Sequence, residues 1–326
     1  MLQYLIIQLD DVSTSYCHYD NNNCVPHLIS THYLKEGIRF AMKENLMIHF
    51  VYPNYELPKE YKDIINTIDH KVIVSSLCED TNLRDNADII VFKNWTGIET
   101  SDFKENVACI LRTSKDELFD KYLSLNSVIT KVSHLNIVIT DIENFTDNDF
   151  NKYKSVLQSL SNILEKQYIK GRTPQLNLLT DRILLDKMNN CNAGYENITL
   201  APDGNFYVCP AFYLAAEEDE YGLGKSKFSI GNLETGLNIK NPQLYKINYA
   251  PLCRTCDAYQ CKRCVWLNRK MTYEINTPSH EQCVISHIER NTSRQLRISL
   301  ETAGVFLIGN DIPQIDYLDP FEKILK

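Results

Sequence analysis

Seven of the chain's eleven cysteines fall after residue 190: Cys191, Cys209, Cys253, Cys256, Cys261, Cys264 and Cys283. The middle four read C-R-T-C-D-A-Y-Q-C-K-R-C, two CxxC pairs four residues apart. Thiols this crowded are crosslinked or hold a soft metal, since tight CxxC loops let two sulfurs meet one centre while backbone amides point at sulfur. Seven thiolates exceed one tetrahedral site, so the pattern predicts two centres, one short of a fourth protein ligand. An iron–sulfur cluster tolerates such an open iron. Zinc is the alternative, with Cys253, Cys256, Cys261 and Cys264 closing one four-sulfur site. His280, three residues before Cys283, reads as a further ligand for the depleted centre or as an ordinary surface histidine. Cys109 reads as a buried small hydrophobe in an apolar strand.

A second group of reactive types lies near the front, in the loop DDVSTSYCHYDNNNC: Asp10, Asp11, Cys17, His18 and Cys24. These are the catalytic candidates, as a substrate or metal site; the bland alternative is that they cap strands and helices. Arg254, Lys262, Arg263, Arg269 and Lys270 make the cysteine loop locally basic. That charge would stabilise anionic sulfur or an acidic peptide, or serve as a solvated face. No Ser–His–Asp set, HExxH motif or glycine-rich phosphate loop is present.

The elements that must carry these groups are legible as a rhythm. Short apolar runs at Tyr4–Leu9, Met47–Tyr52, Lys71–Ser75, Asp88–Phe92, Ala108–Arg112, His134–Thr140 and Gln175–Thr180 suit a buried parallel sheet. Between them Leu34, Ile38, Ala41 and Met42 share one helical face, with Thr31 as N-cap, and Phe150, Tyr153, Leu157, Leu160 and Leu164 share another. The alternation implies right-handed βαβ crossovers, hence an α/β fold closing as a partial (β/α) barrel, with sites at the carboxyl ends of the strands. The rhythm stops near residue 186. Glu196–Ala201 and Asn205–Cys209 then read as a hairpin turning at Pro202-Asp203-Gly204, which would bring Cys191 and Cys209 together. Residues 217–220, EEDE, read as a solvated loop, the stretch after Cys283 as a helix, and the tail from Gly304 as a packed extension.

Composition narrows the class. The 326 residues are 44% hydrophobic, enough for a large core without disulfide staples. The net charge of −8 argues against a general nucleic-acid surface. No stretch approaches 18 apolar residues, so no transmembrane span is expected, and residues 1–12 show no signal peptide. A cytoplasmic location is therefore expected, where clustered cysteines bind metal more often than they pair.

The segment C-x12-G-x4-C formed by Cys191, Gly204 and Cys209, followed by the CxxC pairs, resembles the SPASM domain of radical-SAM peptide-modifying enzymes. That domain holds one or two auxiliary [4Fe–4S] clusters. The second half departs, with CX2CX4CX2C where the family shows CX2CX5CX3C. The resemblance implies one cluster on Cys253, Cys256, Cys261 and Cys283 and another on Cys191, Cys209 and Cys264, lacking one cysteine. The segments TLAPDGNFYVCPAFYL, IKNPQLY, APLCRTCDAYQCKRCVWLNRK and NTPSHEQC, with LNIVITDIE and PQLNLLTDR upstream, are similar to the CXXX-repeat peptide maturase family over nearly the whole chain. This implies a ribosomal precursor peptide with repeated cysteines as partner.

The front half departs from that pattern. A catalytic radical-SAM barrel needs CxxxCxxC after its first strand, and this chain offers Cys17 and Cys24 with six residues between them. The Gly-Gly-Glu turn expected after the second strand reads VYPNYELP, with Glu56 and no glycine. The chain is therefore not expected to cleave S-adenosylmethionine. The expected organisation is a degenerate radical-SAM-like partial barrel over 1–185, a SPASM-like iron–sulfur domain over 186–295 and a C-terminal extension over 296–326. The expected role is a peptide-maturation component working beside a separate radical-SAM enzyme. The alternative is a non-catalytic zinc or iron–sulfur scaffold that recognises a peptide, and a third class is a self-sufficient enzyme using the front loop.

Overall fold

The computed structural model describes residues 2–101, 103, 107–215, 225–305, 307 and 312. The acidic stretch 217–220 and nearly all of the tail beyond 305 lie outside the described residues. In chain order the elements begin β1 (Tyr4–Gln8), α1 (Thr31–Lys43), β2 (Met47–Val51), α2 (Lys59–Ile65), β3 (His70–Ser75), α3 (Thr81–Asp85) and β4 (Ile89–Phe92). They continue β5 (Ala108–Thr113), α4 (Lys115–Lys121), α5 (Leu125–Ile129), β6 (His134–Ile139), α6 (Asp147–Ile169), β7 (Gln175–Leu176) and α7 (Thr180–Leu184). The last group is β8 (Asn197–Leu200), β9 (Asn205–Tyr207), α8 (Ala211–Leu214), β10 (Ser229–Asn232), β11 (Gly236–Leu237), α9 (Val265–Thr272) and α10 (His280–Thr302). No helix among the described residues is long and apolar enough to cross a membrane.

The chain divides into two compact units, each assembled from two separated segments: Met1–Val91 with Asn192–Tyr249, and Phe92–Cys191 with Ala250–Lys326. In the first unit the strand order is β11-β10-β9-β8-β1-β2-β3-β4. Strands β8, β1, β2, β3 and β4 are mutually parallel, and β9 to β11 run antiparallel beyond them. The continuous apolar runs are those of strands covered on both faces. Helix α1 covers one face: a Cβ on Gly37 would collide with the Leu200 side chain and meet Ile7, so a larger residue there would have to displace Leu200. Its N-cap is Ser30, whose hydroxyl accepts the Tyr33 N–H at 3.1 Å, one residue before the expected Thr31. The hairpin of β8 and β9 forms as expected, with Gly204 at φ 80° beneath the Tyr33 ring. The sequence did not show that β8 pairs in parallel with β1.

In the second unit β5, β6 and β7 are parallel. The run Gln175–Thr180 is strand only to Leu176. There the Asn177 side chain takes over the ladder, accepting from Ile137 N at 2.8 Å and donating to Ile137 O at 2.9 Å. Thr180 Oγ1 accepts Leu176 N at 2.7 Å, and the chain turns into α7. Helix α6 starts in a capping box between Thr146 and Asp149 and buries the predicted face of Phe150, Tyr153, Leu157, Leu160 and Leu164. Helix α10 packs on it, and Tyr153 donates to Glu289 at 2.7 Å across the contact.

Candidate metal centre

The four-cysteine run lies in the second unit, in the loop that leads into α9. Short turns shape it: Cys253 N bonds Ala250 O at 3.0 Å, Cys256 N bonds Cys253 O at 3.1 Å, and Cys261 N bonds Ala258 O at 3.0 Å. These turns aim backbone amides at sulfur. Ala258 N reaches Cys256 Sγ at 3.4 Å, Arg263 N reaches Cys261 Sγ at 3.4 Å, and Leu267 N reaches Cys264 Sγ at 3.5 Å. Cys264 is itself the N-cap of α9, where the helix dipole favours an anion. N–H groups directed at sulfur are what CxxC metal loops supply to thiolates.

The loop is anchored at residues between the cysteines. Asp257 is 2% exposed and bonds Arg290 at 3.0 Å; Arg294 and Arg182 also reach its carboxylate, and Arg182 Nε donates to its carbonyl at 3.0 Å. Gln260 donates to Ser286 O on α10 at 2.7 Å. Asn189 N and Cys191 N bond Tyr259 O and Lys262 O, each at 2.7 Å, which lays Cys191 alongside the run. Arg263, 1% exposed and left-handed at φ 44°, points its Nε to Asn190 Oδ1 at 2.9 Å.

Electrostatics follow from this burial. Desolvation pushes the Cys253 and Cys264 thiols up to about 12 and Cys256 up to about 11, and it raises Cys261. The thiols raise one another as well: Cys253 feels Cys261 and Cys256, while Cys264 feels Cys191 and Cys261. Burial lowers the Arg263 guanidinium, and Cys253, Cys191 and Cys261 oppose that effect. Arg263 is thus the basic residue of the loop that reaches the thiols, whereas Lys270 pairs with Glu143 and Arg269 lies over the Tyr273 ring. Without a further cation these thiols stay protonated at neutral pH, and a bound metal ion is the cation that displaces such protons. None of the eleven cysteines is joined in a disulfide. Among the described residues no three His, Cys, Asp or Glu side chains are already arranged as a metal cage. The donor types, the inward amides and the buried guanidinium fit a soft metal with thiolate ligands.

Cys191, Cys253, Cys256, Cys261 and Cys264 thus share one neighbourhood, and Cys283 lies in the first turn of α10, in the same unit. Cys209 belongs to the first unit, within electrostatic reach of Tyr16 and Tyr245. The β8–β9 hairpin starts at Asn197 and does not include Cys191. His280 packs edge-on against Phe150. Sequence reasoning missed His287, which is buried, with Nε2 3.8 Å from Cys256 Sγ. The available signal was its position one helical turn after Cys283.

The front-loop candidates differ in burial and in partners. Asp10 is fully buried and accepts from Val12 N at 2.9 Å, His27 N at 3.3 Å and Tyr55 OH at 2.6 Å. Asp11 accepts from Tyr213 OH and faces His27 Nδ1 at 3.6 Å. Cys17 and His18 are half-buried, and Cys24 is exposed with its thiol on Asn22 O. A further feature escaped the sequence: the oxygens Gln8 Oε1, Thr14 Oγ1, Ser15 Oγ, Tyr16 OH and Thr199 Oγ1 are buried without a hydrogen-bond partner. Gln8 and Thr199 alternate with Ile7 and Leu200, so they lie on the sheet face opposite α1, at its carboxyl end.

No family model matches the chain, and no curated protein matches it. Among solved structures the chain is similar to native anSMEcpe with bound AdoMet and the Cp18Cys peptide, at TM-score 0.56 and 11% identity over 94% of this chain and 100% of that one. The form with the Kp18Cys peptide gives 0.54 and 11% over 93% and 99%. Native anSMEcpe with bound AdoMet alone gives 0.56 and 11% over 93% and 100%. The chain shares its fold with these structures. At this identity the likeness is one of fold. It agrees with the expected mixed α/β class, a parallel-strand sheet with helices.

Proposed function

We propose that this chain is a metal–thiolate component of a peptide-maturation system. One observation carries the reading: half-buried thiols of the CxxC run receive backbone N–H groups, and Cys253, Cys191 and Cys261 lie within electrostatic reach of the buried Arg263. The form implied by the sequence resemblance is two auxiliary [4Fe–4S] clusters held by Cys191, Cys209, Cys253, Cys256, Cys261, Cys264 and Cys283. When bound, such clusters supply electron relay or an open iron for a soft ligand. The chain's own residues bury the thiols, orient them by amide bonds and balance their charge through Arg263. Residues 1–185 act as the barrel part, 186–295 as the SPASM-like part and 296–326 as an extension, in the cytoplasm.

The partner in this reading is a precursor peptide with repeated cysteines, joined by a separate radical-SAM enzyme. Support for a peptide comes from the solved structures of like fold, which hold Cp18Cys and Kp18Cys peptides. Support for a role without cleavage of S-adenosylmethionine comes from the absent CxxxCxxC and glycine turn. Asp10 and Asp11 accept from the Val12 amide and from the hydroxyls of Tyr55 and Tyr213, and Cys17, His18 and Cys24 remain the candidates for contact with substrate.

Anaerobic purification with metal analysis tests the reading. About eight irons per chain, with visible charge-transfer absorption, is the expected result for two cubane clusters. Formation of 5′-deoxyadenosine by this chain alone would refute the non-cleaving part. Zinc in place of iron would favour a peptide-recognition scaffold, and the short Cys256–His287 approach is the observation that favours this second reading.

A further inference from the structure

We infer that His287 is a metal ligand, and that its Nε2 and the Cys256 sulfur bind one and the same metal atom. The inference rests on the metal reading above and takes its zinc form at this one centre. Three observations carry it.

The first is distance. The two donor atoms stand 3.8 Å apart. A tetrahedral zinc with Zn–S of about 2.3 Å and Zn–N of about 2.0 Å sets its sulfur and nitrogen about 3.5 Å apart. In a cubane cluster four cysteines serve four irons, one each, so neighbouring ligands stand farther apart than two donors on one atom.

The second is fixation. The residues around His287 tie α10 to the cysteine loop on both sides of it. Ser286 O accepts from Gln260 at 2.7 Å, Glu289 accepts from Gln260 at 3.2 Å, and Arg290 bonds Asp257 at 3.0 Å. A buried imidazole held between such anchors loses little freedom when a metal arrives. Cys283 lies on the same face of α10, one turn earlier, so the helix offers two alternative ligands to the loop.

The third is the company of Cys256. Cys253 and Cys261 are its electrostatic neighbours. Among the described residues no three such side chains stand together as a cage, so a bound ion would have to draw Cys253 and Cys261 in beside Cys256 and His287 to give three sulfurs and one nitrogen. A divalent ion bound there releases three thiol protons and leaves the site singly negative. Arg263 is placed to offset that charge, with Cys253 and Cys261 both within its reach.

The probe is the metal alone, offered to the full-length reduced protein: zinc for affinity and cobalt(II) for spectroscopy. Zinc affinity is expected to fall more than about a hundredfold in His287→Ala, beyond the 10–100-fold typical of losing an outer-shell partner. His287→Cys is expected to restore binding, with stronger thiolate-to-cobalt charge-transfer absorption than the wild type, because a fourth sulfur replaces nitrogen. Far-UV circular dichroism shows whether each variant is folded, and the cysteine exchange keeps the test valid if alanine is not tolerated. Metal lost in Cys283→Ala and retained in His287→Ala overturns the assignment, as does identical cobalt absorption for wild type and His287→Cys. Four irons with an unchanged cluster spectrum in His287→Ala overturn it too, while leaving the wider metal reading intact. A wild-type protein that takes up neither zinc, cobalt nor iron defeats the wider reading, and this inference with it.

Discussion

Replacement of Asp257 by asparagine tests the anchor that holds the cysteine loop. The carboxylate is 2% exposed and Arg182, Arg290 and Arg294 all reach it. At about 3 Å and an effective dielectric near 20, each such contact has a gross attraction of about 5 kcal/mol. Most of the sum is cancelled by the desolvation of buried charges, so the intact cluster contributes far less than its parts. Breaking it is different. Asparagine is nearly isosteric but neutral, and its amide nitrogen turns a donor toward guanidinium donors. Three cations then lose the anion they share, and two of them, Arg182 and Arg290, are almost fully buried. Loss of one partner from a buried ion pair costs about 3–5 kcal/mol, a large part of a typical 5–15 kcal/mol stability. At about 2–4 °C per kcal/mol, the melting temperature should fall by about 6–20 °C. Thermal melts followed by circular dichroism on the metal-free proteins measure this directly. If Asp257→Asn melts within about 2 °C of the wild type, the anchor is not structural and the argument fails.

Three further outcomes are expected. Gly204→Ala must hold φ 80° and place a Cβ 2.8 Å from the Tyr33 ring, so it should lose about 1–3 kcal/mol in urea titration. Burial would raise the Asp149 carboxyl, but Lys115 and Thr146 outweigh it and hold the group at about 2. Its stabilisation of about 2–3 kcal/mol is therefore present above pH 4 and lost as pH falls toward 2, and Asp149→Asn should flatten the stability profile over that window. Arg263→Gln, which removes a buried cation beside Cys253, Cys191 and Cys261, should weaken zinc binding about tenfold in a competition titration with a chromophoric chelator.

The sheet was legible because many of its strands announce themselves as apolar runs, and each run overlaps an observed strand. The run at Gln175–Thr180 misled because Asn177 and Thr180 imitate backbone hydrogen bonds with their side chains, a substitution that hydrophobic patterning does not register. Thr31 was taken for an N-cap that Ser30 provides, since two adjacent hydroxyl residues satisfy the same rule. The cysteine run was legible from spacing alone. His287 was not, because its approach to Cys256 depends on how α10 docks 31 residues away. The pairing of 92–191 with 250–326 was equally hidden: it rests on contacts such as Tyr153–Glu289, far apart in sequence and unmarked by composition.

Helix α6 buries Phe150, Tyr153, Leu157, Leu160 and Leu164, and the surface that α10 covers is finished only when residue 302 has been made. At 5–20 residues per second, a ribosome needs about 7–27 s to travel from the end of one helix to the end of the other. For that interval a nascent chain carries an oily stripe without its lid, and emerging thiols that Asp257 cannot yet tether to α10. The order of synthesis therefore leaves the α10-facing side of α6 uncovered, and the thiols untethered, until the last helix has been made.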